Sequence, residues 1–259
     1  MIPQWPKISV VTPSYNQGLF LEETIRSVIN QDYPNLEYII IDGQSTDSSI
    51  DVIKKYEKSI SYWVSEKDRG QSEAINKGFA KSSGEILAWL NSDDVYNAGA
   101  LFAVARYFMA MPFADVIYGF HYDINQKGRV IRKGFYYPFI KEFFKVGINI
   151  CQPTAFWRRR VWNQCGPLDM QLHYCMDFDF FSKALNSGFN IKSVPFLICK
   201  FRYHESSKGI TQKSGFRSES YILQKKHFPK KFGHSIKSGL SQIEYYILIA
   251  LRRVVRSFL

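Results

Sequence analysis

Cysteine is scarce in this chain: Cys151, Cys165, Cys175 and Cys199 are the only four among 259 residues, and no two of them form a C-x-x-C pair. Their irregular spacing fits neither a zinc site nor a dense disulfide framework, so reduced, buried thiols are expected. Long apolar runs are missing too. Nothing approaches the roughly 20 residues that cross a bilayer. The opening Met1-Ile2-Pro3-Gln4-Trp5-Pro6 has no secretory apolar segment, which makes the cytosol the expected compartment. There is also no internal repeat and no low-complexity stretch.

What is present is core-forming material. Hydrophobic residues make up 46% of the chain and aromatic residues 16%, ample for the buried core of a globular protein. The net charge of +11 is unevenly placed: residues 221–259 hold eight Lys or Arg against Glu244, giving +7, which leaves +4 for the first 220 residues. That distribution argues against a basic groove through the whole fold. With no zinc-finger or RNP sequence either, no nucleic-acid partner is expected.

Four apolar segments, Ile8 to Thr12, Leu36 to Ile41, Ile60 to Val64 and Glu85 to Leu90, read as buried strands. Helix-like stretches lie between them at Leu19 to Asn30, Ser48 to Glu57 and Gln71 to Lys81. The alternation predicts an α/β domain with a mostly parallel central sheet covered by helices on both faces. A polar cluster follows each strand: Thr12-Pro13-Ser14-Tyr15-Asn16, Asp42 to Asp47, Ser65 to Gln71, and Asn91-Ser92-Asp93-Asp94. Parallel strands bring all four to one edge, the place where open α/β sheets bind ligands. One such loop is ordinary turn chemistry, with Asp47 placed to cap the next helix, but four predict a single polar crevice. The adjacent acids Asp93 and Asp94 repel each other and suit a divalent cation; a polar turn before the helix near Ala98 would use the same residues.

After Ala98 the pattern is mixed: a helix to Met109, a strand at Asp115 to Tyr118, and a β pair turning at Gln126-Lys127-Gly128. The segment Phe135 to Phe144 is dense in aromatics, suited to core packing or to an acceptor-binding or membrane-facing surface.

Taken together, Val10 to Asn16, Ile41 to Asp47, Asp68-Arg69-Gly70-Gln71 with Ala74, Asn76 and Gly78, and Asn91 to Asp94 resemble the family-2 glycosyltransferases, whose nucleotide-sugar domain has the GT-A fold. The likeness covers about residues 7–205, strongly to Tyr96 and more loosely beyond. It implies that Thr12, Pro13, Ser14, Tyr15, Asp42, Asp68, Arg69 and Gln71 face the nucleotide-sugar. In this role the Asp42 carboxylate accepts from a base N–H; the competing reading is that it braces the Asp42-Gly43 turn. The family's D-x-D motif stands here as Asn91-Ser92-Asp93, followed by Asp94. Its first acid is missing. Asp93 then becomes the expected ligand for Mg²⁺ or Mn²⁺, with Asn91, Ser92 and Asp94 beside the donor.

The resemblance also puts a catalytic base in the Met176-Asp177-Phe178-Asp179 segment, where Met replaces the family's leading Glu. Asp177 is the expected base, which takes the acceptor's proton, and Asp179 a second acid or a helix cap. Both acids also suit a helix start for the dipole alone. In Phe201 to Ser207, Arg202 is expected to neutralise phosphate and His204 to contact metal or phosphate. Gln152-Pro153-Thr154 is expected on the acceptor side, with Trp157-Arg158-Arg159-Arg160 either there or on a solvated helix face.

The expected domain spans 1–213, its donor half about 1–97 and its acceptor half about 98–213, followed by a basic helical tail at 214–259. In that tail Ser241 to Arg256 is apolar with Arg at its end, and is expected either to lie on an anionic membrane or to dock on the domain. The implied activity is inverting, metal-dependent transfer of a sugar from a nucleotide donor, UDP-linked, to a hydroxyl of a lipid-linked or growing surface glycan. Two rival classes stand beside it. A nucleotidyltransferase should show a Gly-rich phosphate loop after its first strand, and residues 12–18 are not one. A non-catalytic binding protein of the same fold is compatible with the departures at Asn91 and Met176.

Overall fold

The computed structural model describes residues 4–145, 147, 150–205 and 213–229. The first half alternates as the sequence pattern predicts: β1 (Ile8–Ser14), α1 (Gly18–Ile29), β2 (Leu36–Asp42), α2 (Ser49–Lys55), β3 (Tyr62–Ser65), α3 (Gln71–Lys81) and β4 (Ile86–Trp89). These strands pair in parallel in the order β3-β2-β1-β4.

Strand alternation sorts the apolar side chains into two cores. Val11, Ile39, Ile41, Leu87 and Trp89 face α3 through Ala74, Ile75 and Phe79. Ile8, Val10, Tyr38, Ile40, Ile86 and Ala88 face α1 through Leu21, Ile25 and Val28. Odd and even positions point to opposite faces because the side-chain period of a strand is two. Helix α3 approaches so closely that a Cβ on Gly78 would lie 2.3 Å from Val11 Cγ1.

The second half adds β5 (Val95–Tyr96), α4 (Ala100–Ala110), β6 (Val116–Asn125), β7 (Val130–Lys133), α5 (Lys141–Lys145), β8 (Ala155–Arg158), α6 (Arg159–Cys165), α7 (Met176–Asn186), β9 (Ile191–Tyr203) and α8 (Lys213–His227). Strand β8 joins β4 antiparallel, β6 follows β8, and β9 runs parallel to β6 before meeting β5 antiparallel. The expected hairpin is β6–β7, with Tyr122 opposite Lys133. The arginine run is structural: Arg158 donates to the carbonyls of Ala114 and Phe108, Arg159 to that of Gly84, and Arg160 pairs with Asp115 at 2.6 Å. Trp157 is fully buried among Phe79, Trp89 and Phe180, so it belongs to the core and not to an acceptor surface.

Residues 213–229, where the helical tail was expected to begin, pack on the domain. Leu223 and Phe228 enter the core beside α7, and Asp179, buried on α7, meets Lys183 at 2.7 Å, His227 at 2.7 Å and Lys226 at 3.3 Å. The helix expected at 241–256 lies outside the described residues. Among the described residues no helix is long and apolar enough to cross a membrane.

Candidate active site

Strand register explains how distant residues converge. Asp42 and Ser65 end β2 and β3 directly opposite each other. Their side chains meet: the Ser65 hydroxyl donates to Asp42 at 2.7 Å, while the Ser45 N–H and hydroxyl donate at 2.8 and 2.5 Å. Asp42 is fully buried, and three of roughly four acceptor positions on its carboxylate are filled by the protein. Thr12 is equally interior, sharing a hydrogen bond of 3.1 Å with the Tyr38 hydroxyl. Pro13 and Ser14 are also buried, and among the described residues the Ser14 hydroxyl has no partner. Tyr15 projects outward and is exposed.

Asp68 lies against the turn at Gly43, where an added Cβ would stand 2.7 Å from Asp68 Oδ2. Only glycine leaves that carboxylate room. Burial raises the Asp68 pKa above its ordinary value, and its Oδ1 accepts the Gly70 N–H at 2.8 Å. Arg69 is exposed, held by Glu73 at 2.8 Å and reaching the Met170 sulfur at 3.4 Å. Gln71, opening α3, donates to Asn91 at 2.7 Å.

The 91–94 loop is brought to the end of β9 by the two-residue strand β5. Val95 stands opposite Lys200 in an antiparallel pair, so residues just before Val95 run beside those just after Lys200. Asp93 Oδ2 and His204 Nε2 are therefore 3.0 Å apart, with His204 packed on Phe20. Asp94 turns inward and is buried, accepting the Arg202 N–H at 3.0 Å. Burial first, and the Asp93 charge second, raise its pKa well above its ordinary value. Ser92 is buried as well.

Arg202 corrects the sequence expectation. Its guanidinium is 1% exposed and donates to the carbonyls of Asp93 (2.8 Å), Gln126 (3.1 Å) and Asn125 (3.3 Å) and to Glu23 (2.5 Å). Four of five N–H groups are used, and Glu23 offsets the charge. A phosphate contact would require breaking this network. Arg202 and Asp94 instead brace the loop that carries Asp93.

Asp177 is half-buried in the first turn of α7, four residues earlier than the helix start expected from the sequence. Burial raises its pKa to about 6, with the negative charges of Cys151 and Glu219 adding to the effect. Asp179 goes the other way: His227 and Lys183 hold its carboxyl well below the usual range, so it is a strut between α7 and α8. Gln152 is buried and donates to the Trp89 carbonyl at 2.7 Å, bracing the strand end that precedes Asn91. A small cleft lined by Arg69, Gln71, Glu73, Met170, His173 and Met176 separates the start of α3 from the start of α7.

Two residues escaped sequence reasoning. Glu219 on α8 accepts the backbone N–H groups of His173, Tyr174 and Cys175 at 2.9, 2.7 and 2.6 Å, gripping the loop that feeds Asp177. It stands in a stretch that reads as the start of a basic tail and carries no local signal. Cys151 is the half-buried exception among the cysteines, all of which are free. Hydrogen bonds with Cys199 and His121 outweigh burial and lower its pKa to about 6.

Asp93 and His204 fit a hard divalent ion. Two adjacent donors, each about 2.1 Å from an octahedral ion, are about 3.0 Å apart. Among the described residues no third acidic, His or Cys side chain joins them, so remaining positions would fall to water and ligand oxygens.

Comparison with known proteins bears on the family and the fold. The sequence profile described as Glycosyl transferase family 2 matches residues 9–166. A "PGL/p-HBAD biosynthesis glycosyltransferase" of Mycobacterium bovis (strain BCG / Pasteur 1173P2) is 23% identical over 252 residues, 96% of this chain and 91% of that protein. The Campylobacter jejuni "GalNAc(5)-diNAcBac-PP-undecaprenol beta-1,3-glucosyltransferase" is 35% identical over 100 residues, 37% of this chain and 32% of that protein. Among solved structures, S. aureus TarS 1-349 in complex with UDP-GlcNAc superposes with a TM-score of 0.69 at 19% identity, covering 84% of this chain and 65% of that one. The sheet and its covering helices are those of a GT-A fold. The chain belongs to glycosyltransferase family 2.

Proposed function

We propose that this protein transfers a sugar, with inversion, from a UDP-linked donor to a hydroxyl of a lipid-linked or growing cell-surface glycan. The observation that carries the reading is the pairing of Asp93 with His204 at one sheet edge, beside loops bearing Asp68, Arg69 and Asn91. The UDP-GlcNAc in the TarS complex and the PP-undecaprenol in the name of the Campylobacter relative support the donor and acceptor classes.

Tyr15 and Asp68 are proposed to hold the nucleotide, while the fully buried Asp42 braces the turn beneath them through Ser45 and Ser65. Asp93 and His204 would hold Mg²⁺ or Mn²⁺, which when bound offsets the charge of the leaving diphosphate. The acceptor oxygen bonds to C1 of the sugar as the C1–O bond to the diphosphate breaks, and the acceptor proton passes to the Asp177 carboxylate. A pKa near 6 suits that step at neutral pH: the carboxylate is ionised and still basic enough to take the proton. Residence on the inner face of the cytoplasmic membrane follows from a lipid-carried acceptor.

Titration of nucleotide sugars with and without Mn²⁺ tests the donor site, and Asp177→Asn tests the chemistry. The expected variant binds donor as the parent does and loses transfer. Unchanged turnover would remove Asp177 from the mechanism.

A further inference from the structure

Residues 126–141 form a ribbon along the edge of β6 that no step of the transfer uses. It starts at the hairpin tip, where the Gln126 carbonyl accepts from Arg202, and follows β7. The Gly134 N–H continues the pairing to the His121 carbonyl at 2.9 Å. Farther on, Phe139 packs on Tyr118 and on Phe144, which stacks against Phe178 next to the proposed base. The ribbon thus borders the site at both ends.

Its outer surface combines two features that water tolerates poorly together. Val130, Ile131, Phe135, Tyr136, Tyr137 and Ile140 are exposed, Ile131 at 57% and the others at 38–46%. This places six large apolar side chains within residues 130–140, Val130 and Ile131 on the edge strand β7 and the other four in the irregular segment that follows it, a surface that folded proteins ordinarily cover. Interleaved with them are Lys127, Arg129, Lys133 and Lys141, which make no ion pair among the described residues; Arg132 pairs with Asp123. Residues 126–142 hold five Lys or Arg against Glu142, a net +4.

We propose that this ribbon docks the protein on an anionic phospholipid bilayer. A protein partner would leave the lysines poorly matched, since protein interfaces are depleted in Lys. An anionic bilayer meets both features at once: aromatic and aliphatic side chains enter the headgroup boundary while Lys and Arg stems keep their charges at the lipid phosphates. The purpose rests on the lipid-linked acceptor proposed above, but binding is measured without substrate, so its failure leaves the transferase reading standing.

The test is co-sedimentation of the full chain with vesicles of phosphatidylcholine alone, or with about one third phosphatidylglycerol, across a salt series. Binding is expected to the anionic vesicles only and to weaken as salt rises. Two variants locate it: Lys127→Glu/Lys133→Glu/Lys141→Glu, and Phe135→Ser/Tyr136→Ser/Ile140→Ser. Each is expected to bind at least about tenfold more weakly with an unchanged unfolding midpoint, given roughly 1 kcal/mol per basic residue at such a surface. If one variant does not fold, the other decides. The proposal is overturned if the parent ignores anionic vesicles, if it binds neutral vesicles equally, or if the folded variants bind as the parent does, which would assign the contact to another part of the chain.

Discussion

His204 Nε2 stands 3.0 Å from Asp93 Oδ2 although 111 residues separate them in sequence. The contact exists because a two-residue strand lays the 91–94 loop against the end of β9, and because Arg202 and Asp94 lock that arrangement from beneath. An acid and an imidazole are thus preset at a spacing that suits a divalent ion. Asp93→Asn is expected to lower kcat/KM by about 100-fold and His204→Ala by about 10-fold, with Mn²⁺ dependence weakened in both. Initial rates over a Mn²⁺ titration check this.

With Asp177 as the proposed base, its raised pKa is expected to set the acid limb of the pH profile. Below about pH 6 the base is protonated, so kcat should fall with decreasing pH and level off above the raised value. The same shift has a stability consequence of opposite sign. Unfolded, the group ionises near pH 4; folded, near 6; its ionised form therefore costs stability, fully above pH 6 and not at all below about 4. Asp177→Asn should abolish transfer yet raise stability at pH 7.5 by roughly 1–3 kcal/mol, read from denaturant unfolding.

Glu219 acts on Asp177 through the loop it holds and through its charge. Replacing it by Gln keeps one acceptor oxygen for three N–H groups and removes a negative neighbour of the base. Glu219→Gln is expected to lower kcat about 10-fold with donor KM unchanged, and to move the acid limb to lower pH. A purely structural role would leave that limb in place.

Asp179 anchors α8 by ion pairs that hold its pKa below the usual range. Because the folded value is depressed, its contribution is fully present above the unfolded value near 4, declines as pH falls from there, and is lost only once the pH passes the depressed folded value. Asp179→Ala should destabilise the protein by about 1–3 kcal/mol at pH 7 and still by most of that at pH 3, where the folded carboxyl remains ionised, measured by urea unfolding at both.

Trp157 gives a contrast with no functional component. It is fully buried between Phe79, Trp89, Phe180 and Phe181. Trp157→Ala should cost about 3–5 kcal/mol in the same unfolding measurement without altering the pH limb of any remaining activity.

Much of the first half was legible in the chain because its determinants are local. Alternating Val10/Val11 and Ile40/Ile41 can only be strand residues buried on both faces, and a polar run after each fixes which edge binds ligands. Residue types alone singled out the Asp93-Asp94 pair, whereas Asp177 and His204 were expected from the resemblance to glycosyltransferase family 2, which also implied the roles of all three. Tertiary structure decided what those patterns could not. Arg202 reads as a phosphate ligand in sequence, but pairing of β9 with β6 and β5 buries it among carbonyls and Glu23, where its charge is spent. Glu219 and Asp179 look like ordinary charges on helices until α8 packs against α7 and their partners arrive from 40 or more residues away. Hydrophobic periodicity is written in neighbours along the chain; which polar groups face each other after burial is fixed by strand register and helix docking, which only the folded chain contains.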